Sequence, residues 1–98
     1  MENRCIDYEA GLKSLAGKEA VYNRLLKGFL QNYEHLKIDI NSSDSLRDVH
    51  TIKGLSANLG AMKLSAVSRE LEINRTEESL EEFYRCLNEV LEEIRSRG

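Results

Sequence analysis

The chain has no proline and no tryptophan, and residues that favour strands are scarce. Proline is common in loops and breaks helix interiors, so its absence argues against a loop-rich fold. The 14 Leu and 13 Glu favour helices, whereas 4 Val, 6 Ile and 2 Thr favour strands. These counts predict an all-α fold. We expect residues 1–98 to form one domain, too short to join a nucleotide-binding domain to a substrate domain.

Cysteines and long apolar runs are also few. Cys5 and Cys86 lie far apart and form no CxxC pair. A single long-range disulfide is one alternative, but two free thiols in a reducing cytosol are favoured. No apolar stretch is long enough to span a bilayer, and no charged-then-apolar leader begins the chain. We therefore expect a cytoplasmic protein without direct membrane contact, either free-standing or a module of a membrane-anchored protein.

Basic charge is scarce in the last third of the chain. Residues 70–98 carry four Arg and nine Glu, a net of −5. Residues 1–69 carry ten Lys and Arg against eight Asp and Glu, a net of +2. Because binding to phosphate backbones needs a basic stripe, nucleic acid is not an expected partner. The Glu-rich run over residues 70–93 is interpreted as the solvated face of a helix.

Apolar residues recur at helical spacing in five segments. The predicted helices cover residues 5–15, 18–37, 44–59, 62–73 and 77–96. Gly17 and Gly60 are the predicted stops, because glycine accepts the left-handed conformation after a helix. Ser43 or Asp44, and later Thr76, can cap helix N-termini. Four amphipathic helices with short connections predict an antiparallel up-down four-helix bundle, with the short extra N-terminal helix capping one end.

His50 lies on the polar side of the third predicted helix. At 100° per residue, Leu46, Lys53, Gly54 and Ala57 fall within about 60° of it, and the apolar stripe lies opposite. A glycine inside a helix costs on the order of 1 kcal/mol relative to alanine. Its position one turn from an exposed histidine suggests that something approaches the backbone closely here.

This grouping suits a phosphoryl group. A neutral imidazole is a good nucleophile toward phosphorus, and its ordinary pKa of about 6.5 leaves it mostly neutral in the cell. The Lys53 ammonium would stabilise the added negative charge, and Gly54 and Ala57 would leave room for it. The chain shows no Gly-rich phosphate loop and no cluster of acidic Mg²⁺ ligands. It could therefore hold a phosphoryl group but not readily take one from ATP.

The segment from His50 to Ala61, HTIKGLSANLGA, resembles the signature of histidine-containing phosphotransfer (HPt) domains, most closely those of bacterial hybrid sensor kinases. The signature reads H-x-[LI]-K-G, then small residues, then [LI]-G-A. Leu55, where a smaller residue is common, is a mild variation. The resemblance reaches to about residue 72 and leaves the last helix generic. The other positions that carry it are Ile6-Asp7, Gly11-Leu12, Tyr22, Leu25-Leu26, Phe29, Leu64 and Leu71-Glu72.

The resemblance implies a phosphoryl carrier without kinase activity of its own. His50 would accept a phosphoryl group from the aspartate of one response-regulator receiver domain and pass it to another. Lys53 would stabilise the phosphohistidine, and Gly54 would keep the site accessible. No cofactor is expected, because the receiver would supply Mg²⁺. A monomer is expected, with receivers and a hybrid sensor kinase as partners. The residues expected to contact the partner are Leu46, Arg47, Ala57 and Asn58.

Several alternatives stay open on the sequence alone. The chain could be a helical adaptor that docks on receivers or kinases without carrying phosphate, or a helical oligomerisation domain. For Asn58, a hydrogen bond within the bundle is favoured over partner contact. A metal site built from Cys5, Cys86, His35 and His50 matches no compact ligand spacing. The ring nitrogen that would be phosphorylated is not readable from the sequence.

Overall fold

The computed structural model describes residues 5–97, so the predicted domain span extends beyond the described part at both ends. These residues form five α-helices and no strand, which confirms the all-α prediction. The helices are α1 (Tyr8–Ser14), α2 (Glu19–Tyr33), α3 (Ser43–Leu59), α4 (Met62–Asn74) and α5 (Glu77–Arg97).

Residues close in sequence set both ends of α3 and the start of α5. The α3 N-cap is Ser42 rather than the predicted Ser43 or Asp44, because the Ser42 hydroxyl accepts from the Ser45 amide at 3.4 Å. The helix therefore begins one residue before its predicted start. Gly60 ends α3 with a φ of +92°, as predicted. The Thr76 hydroxyl accepts from the Ser79 amide at 3.1 Å, and the Ser79 hydroxyl accepts from the Thr76 amide at 3.0 Å. This reciprocal pair confirms Thr76 as the cap of α5.

Other predicted ends differ from the structure, and the first helix begins at Tyr8 rather than at residue 5. The first helix ends at Ser14, although Gly17 has the expected positive φ of +75°. The second helix ends at Tyr33 rather than at residue 37. Beyond it, the Ile38 amide donates to the Tyr84 hydroxyl of α5 at 2.7 Å, and the Ile38 side chain is buried. A tertiary contact therefore draws the chain out of the helix, although the apolar spacing continues.

The helices pack around one apolar core. Helix α3 packs on α4, α4 packs on α5, α2 packs on both α5 and α3, and α1 packs on α3 and α2. The core residues with at most 1% exposure include Ile6, Val49, Ile52, Ala61, Leu64, Leu71, Phe83 and Val90. Within residues 5–97, no helix is both long and apolar enough to cross a membrane.

Helix α1 closes tightly over the C-terminal end of α3. A Cβ on Gly11 would lie 2.3 Å from the Leu59 carbonyl oxygen, and one on Gly60 would lie 2.1 Å from the Asp7 carbonyl oxygen. The Asp7 amide donates to the Gly60 carbonyl at 2.9 Å, and the Tyr22 hydroxyl donates to the Leu59 carbonyl at 2.7 Å. Backbone contacts therefore fix this end of α3.

Polar contacts also set the contact between α3 and α4. Ser56 is buried, and its hydroxyl donates to the Ile52 carbonyl one turn earlier at 2.6 Å, as the sequence predicted. The Ser65 hydroxyl of α4 donates across the interface to the Lys53 carbonyl at 3.0 Å. These bonds hold α4 beside the segment of α3 that bears the candidate site.

Candidate functional site

His50 projects from the solvent side of α3. Its neighbours Val49 and Ile52 have no exposed surface, whereas the His50 side chain is 67% exposed. The imidazole is thus held on a rigid, packed helix and remains accessible to another molecule.

Glu72 of α4 reaches the imidazole. Its Oε2 lies 2.8 Å from His50 Nδ1. Because a carboxylate only accepts hydrogen bonds, Nδ1 carries the proton in this contact. In the neutral ring the proton is then absent from Nε2, which keeps its lone pair. The structure therefore distinguishes the two ring nitrogens.

The same carboxylate binds Lys53. The Lys53 Nζ lies 2.7 Å from Glu72 Oε1, and Oε1 is itself shielded from solvent. Partial burial acts to raise the pKa of Glu72, but the hydrogen bonds and positive charge of Lys53 and His50 outweigh it. The pKa of Glu72 therefore lies below its ordinary value. One ionised carboxylate thus holds both the imidazole and the ammonium.

Core packing of α4 places Glu72. Leu64, Ser68 and Leu71 form the buried stripe of α4, and Leu71 has no exposed surface. Glu72 follows Leu71 at the edge of that stripe, with its side chain 24% exposed. Packing of α4 on α3 therefore delivers its carboxylate to residues 22 positions earlier in the chain.

Gly54 lies beside open space. A Cβ built on it would meet no atom within 4 Å outside its own helix backbone and chain neighbours. Close helix packing therefore does not explain this glycine.

The four residues expected to contact a partner differ in their exposure to solvent. Leu46 is half-buried, while Arg47, Ala57 and Asn58 are exposed. Arg47 Nη1 lies 3.9 Å from Asp44 Oδ1. Thr51, which the sequence predicted to lie on the surface, is exposed, and its hydroxyl donates to the Arg47 carbonyl at 3.1 Å. The structure thus places these side chains on the outside of α3, apart from the Glu72 contact.

A groove of about 200 Å³ lies between α2, α3 and the end of α1. Its apolar walls come from the end of α1, from α2 and from α3, and Leu25 in it is 39% exposed. The residues that line it are Leu15, Arg24, Leu25, Gly28, Phe29, Asn32, Leu55, Asn58 and Leu59. Asn58 is the member of the expected partner-binding set that belongs to this groove.

Sequence reasoning missed Glu72. It grouped this residue with a solvated Glu-rich face, whereas the structure joins it to His50 and Lys53. Glu93 also departs from that interpretation, because it accepts hydrogen bonds from the Cys5 amide and the Tyr8 hydroxyl. The Leu71-Glu72 pair belonged to the family resemblance and was the signal that could have directed attention to the carboxylate.

The remaining histidine and the cysteines lie apart from the site. The His35 side chain is 91% exposed, and Cys5 and Cys86 are free thiols. Among residues 5–97, no group of three or more His, Cys, Asp or Glu side chains is arranged to hold a metal ion.

Comparison with known protein families matches residues 23–97 to the family model described as Hpt domain. The match includes all of α5, which the sequence resemblance left generic, and it begins within α2. No curated protein and no solved structure matches the chain.

Proposed function

The chain belongs to the Hpt domain family, and on that premise we propose that His50 carries a phosphoryl group between receiver-domain aspartates. Hpt domains act as histidine phosphocarriers in the phosphorelays of two-component signalling and are not kinases. The observation that carries the proposal is the exposed His50 ring with Nδ1 bonded to Glu72. That contact leaves Nε2 as the nitrogen that accepts phosphorus.

We propose an antiparallel up-down four-helix bundle of α2, α3, α4 and α5 as the scaffold. Each of these helices packs on the next, and α2 also packs on α5, as such a bundle requires. Helix α1 lies across one end through its contacts with α3 and α2. This scaffold would hold His50 rigidly without enclosing it.

Phosphoryl transfer then needs only the Nε2 lone pair. Nε2 forms a bond to phosphorus as the P–O bond of the receiver's acyl phosphate breaks, and the receiver aspartate leaves as a carboxylate. Onward transfer is the reverse reaction with a second receiver. The Mg²⁺ that assists these steps is supplied by the acidic pocket of the receiver.

Lys53 and Gly54 would serve the phosphorylated state. Lys53 Nζ and His50 Nδ1 contact the same carboxylate at 2.7 Å and 2.8 Å, so the ammonium lies beside the imidazole. A short pivot of its flexible stem would move Nζ from Glu72 to the phosphoryl oxygens. The open space over Gly54 would admit the receiver's active site.

The partner surface combines positive charge with an apolar groove. Arg47 and Lys53 flank His50 and would attract the acidic pocket of a receiver. The groove that contains Leu25 and Asn58 would accept apolar side chains from the same partner. We propose that the domain meets its receivers as a monomer in the cytoplasm.

The test is incubation with a phosphorylated receiver. Wild type should gain an acid-labile, base-stable phosphoryl group, and His50→Ala should gain none. His35→Ala is the matched control, because His35 is exposed and has no contact with the site, and it should be labelled like wild type. Lys53→Ala should be labelled more slowly or lose the group faster. Labelling of His50→Ala at the wild-type rate would refute the proposal, and receiver binding without labelling of wild type would indicate the adaptor function instead.

A further inference from the structure

Helix α4 presents large apolar side chains on its outer face. Met62 is 57% exposed and Ile73 is 64% exposed, more than any other large apolar side chain that the structure describes. With Ala66 and Arg69 between them, they fall within about 60° of one another at 100° per residue. The buried residues of α4 lie on the opposite side, and they are Leu64, Ser68 and Leu71. The helix is therefore apolar on two sides, and the bundle covers only one of them.

The spacing along the outer face is that of a helix-packing seam. The outer seam consists of Met62, Ala66, Arg69 and Ile73. These residues are four, three and four positions apart, which is the alternation of a and d positions in a heptad repeat. They line one cleft of about 470 Å³, whose other lining residues are Lys53, Ser65 and Glu70. Single apolar residues scattered over a surface are ordinary, but an aligned row in one cleft indicates an interaction surface that matches the side-chain spacing of a helix.

Arg69 lies in the middle of the outer seam without a counter-charge. In the part of the chain that the structure describes, no carboxylate forms an ion pair with it. The other charged residues of the cleft already have partners, because Lys53 binds Glu72 at 2.7 Å and Glu70 accepts from Asn74. An arginine covered by a partner is best matched by a carboxylate, which it can bind through two N–H groups. The occupant of the outer seam must therefore supply an acidic side chain between its apolar ones.

A second copy of this chain does not meet that requirement. In a parallel pair, Arg69 would face Arg69 of the other copy. In an antiparallel pair, the two-fold axis would pass midway between Met62 and Ile73, with one Arg69 close to each side of it. Both arrangements bring like charges together, and Glu70 is not free to separate them because it holds Asn74. The charge thus favours a different helix over self-association.

We propose that the outer seam of α4 docks an acidic amphipathic helix of another protein. Apolar side chains of that helix pack on Met62 and Ile73, and a carboxylate between them binds the Arg69 guanidinium. The docked helix lies beside the candidate site, because Lys53 belongs to both the cleft and the site. Docking does not require phosphoryl transfer by His50, since the imidazole is not part of the cleft.

The test uses two synthetic peptides of about 15 residues, held helical by a side-chain cross-link and long enough to span the outer seam. Both carry leucine at the heptad positions that face Met62 and Ile73. The central residue that faces Arg69 is glutamate in one peptide and lysine in the other. Binding to the ¹⁵N-labelled protein is measured by NMR titration. Arg69→Glu reverses the charge of the seam, and Arg85→Glu is the matched control, because Arg85 is an exposed arginine of α5 outside the cleft.

The glutamate peptide should bind wild type about tenfold more tightly than the lysine peptide, with chemical-shift changes centred on α4. Arg69→Glu should reverse that preference, and Arg85→Glu should keep it. Ile73→Ser should weaken binding of the glutamate peptide by about tenfold, because it removes an apolar anchor. Circular dichroism checks that each variant folds, as expected for substitutions at exposed positions.

Equal binding of the two peptides, shift changes centred on the groove between α2 and α3, or no binding at all would overturn the inference. So would a dimer in sedimentation that Ile73→Ser dissociates, because the outer seam would then belong to a second copy. His50→Ala should bind both peptides like wild type. Failure of His50 to carry phosphate would therefore refute the proposed function and leave this result unchanged.

Discussion

The C-terminal end of α3 and its middle both carry glycine, under opposite conditions. At Gly60 the φ is +92° and a Cβ would lie 2.1 Å from the Asp7 carbonyl oxygen, so no side chain fits. At Gly54 the backbone is helical and a Cβ would meet nothing within 4 Å. Since helical glycine costs about 1 kcal/mol relative to alanine, Gly54 lowers stability without improving packing. The first glycine permits the fold, and the second leaves space beside the candidate site.

The largest expected effect is at Gly60. Gly60→Ala should lower the free energy of unfolding by about 3 kcal/mol or more, because it combines left-handed strain with a backbone clash. Gly54→Ala is the matched control and should raise it by about 0.5–1 kcal/mol. Urea unfolding followed by circular dichroism measures both. Equal effects of the two substitutions would show that Gly60 and Gly54 are under the same structural constraint.

The next largest effect is expected on the rate of phosphoryl transfer rather than on the free energy of unfolding. Gly54→Met should leave the fold intact but slow phosphoryl transfer from a receiver by about tenfold or more, because the side chain displaces the partner's reacting groups. Labelling by phosphoramidate, a donor small enough to avoid the obstruction, should change much less. Comparison of the two donors in one variant separates access from damage to His50. A normal transfer rate from the receiver would show that the open space is unused.

Glu93 and Glu72 differ in the same way as the two glycines, because Glu93 supports the fold and Glu72 belongs to the candidate site. Glu93 accepts hydrogen bonds from the Cys5 amide, at 2.7 Å, and from the Tyr8 hydroxyl, and so ties the N-terminal segment to α5. Arg97 covers the Tyr8 ring at 4.3 Å. Burial and the bond to Glu93 raise the pKa of Tyr8, which keeps its hydroxyl a donor at neutral pH. Glu93 therefore has neutral donors to hold, whereas Glu72 holds groups that act in the proposed chemistry.

Glu93→Gln should accordingly lower the free energy of unfolding by about 1 kcal/mol and leave phosphotransfer unchanged. Glu72→Gln should show the reverse pattern. Glu89→Gln, one turn from Glu93 on the exposed side of α5, is the control and should have little effect on either measurement. Thermal and urea unfolding are paired with transfer from a phosphorylated receiver. A transfer defect in Glu93→Gln as large as that of Glu72→Gln would contradict the assignment of separate roles.

Most features fixed by neighbouring residues could be predicted from the sequence, although the α3 cap is Ser42 rather than Ser43 or Asp44. Features fixed by helix packing could not be predicted. The stop at Gly60 and the cap at Thr76 depend on a few adjacent residues, and both predictions were confirmed. The exposure of His50 followed from helical periodicity. The contact of Glu72 depends on how α4 lies against α3, which no local pattern encodes. The early end of α2 has the same origin, because Tyr84 of α5 binds the Ile38 amide.

The smallest expected effect is the pH dependence that Glu72 gives to stability. Its pKa is lower in the folded protein than its ordinary value of 4.5, so its contribution is fully present above that value. The contribution is lost as the pH falls through the lower, folded value. The wild-type advantage over Glu72→Gln should therefore shrink on acidification below about pH 4.5. An advantage that grows in this acidic range would contradict the ionised state assigned to Glu72.

The change in the free energy of unfolding should stay under about 1 kcal/mol, because solvent screens the partly exposed partners of Glu72. The His50 side chain is 67% exposed and the Lys53 side chain is 32% exposed. The carboxylate that has the larger proposed effect on phosphoryl chemistry is thus expected to have a small effect on folding.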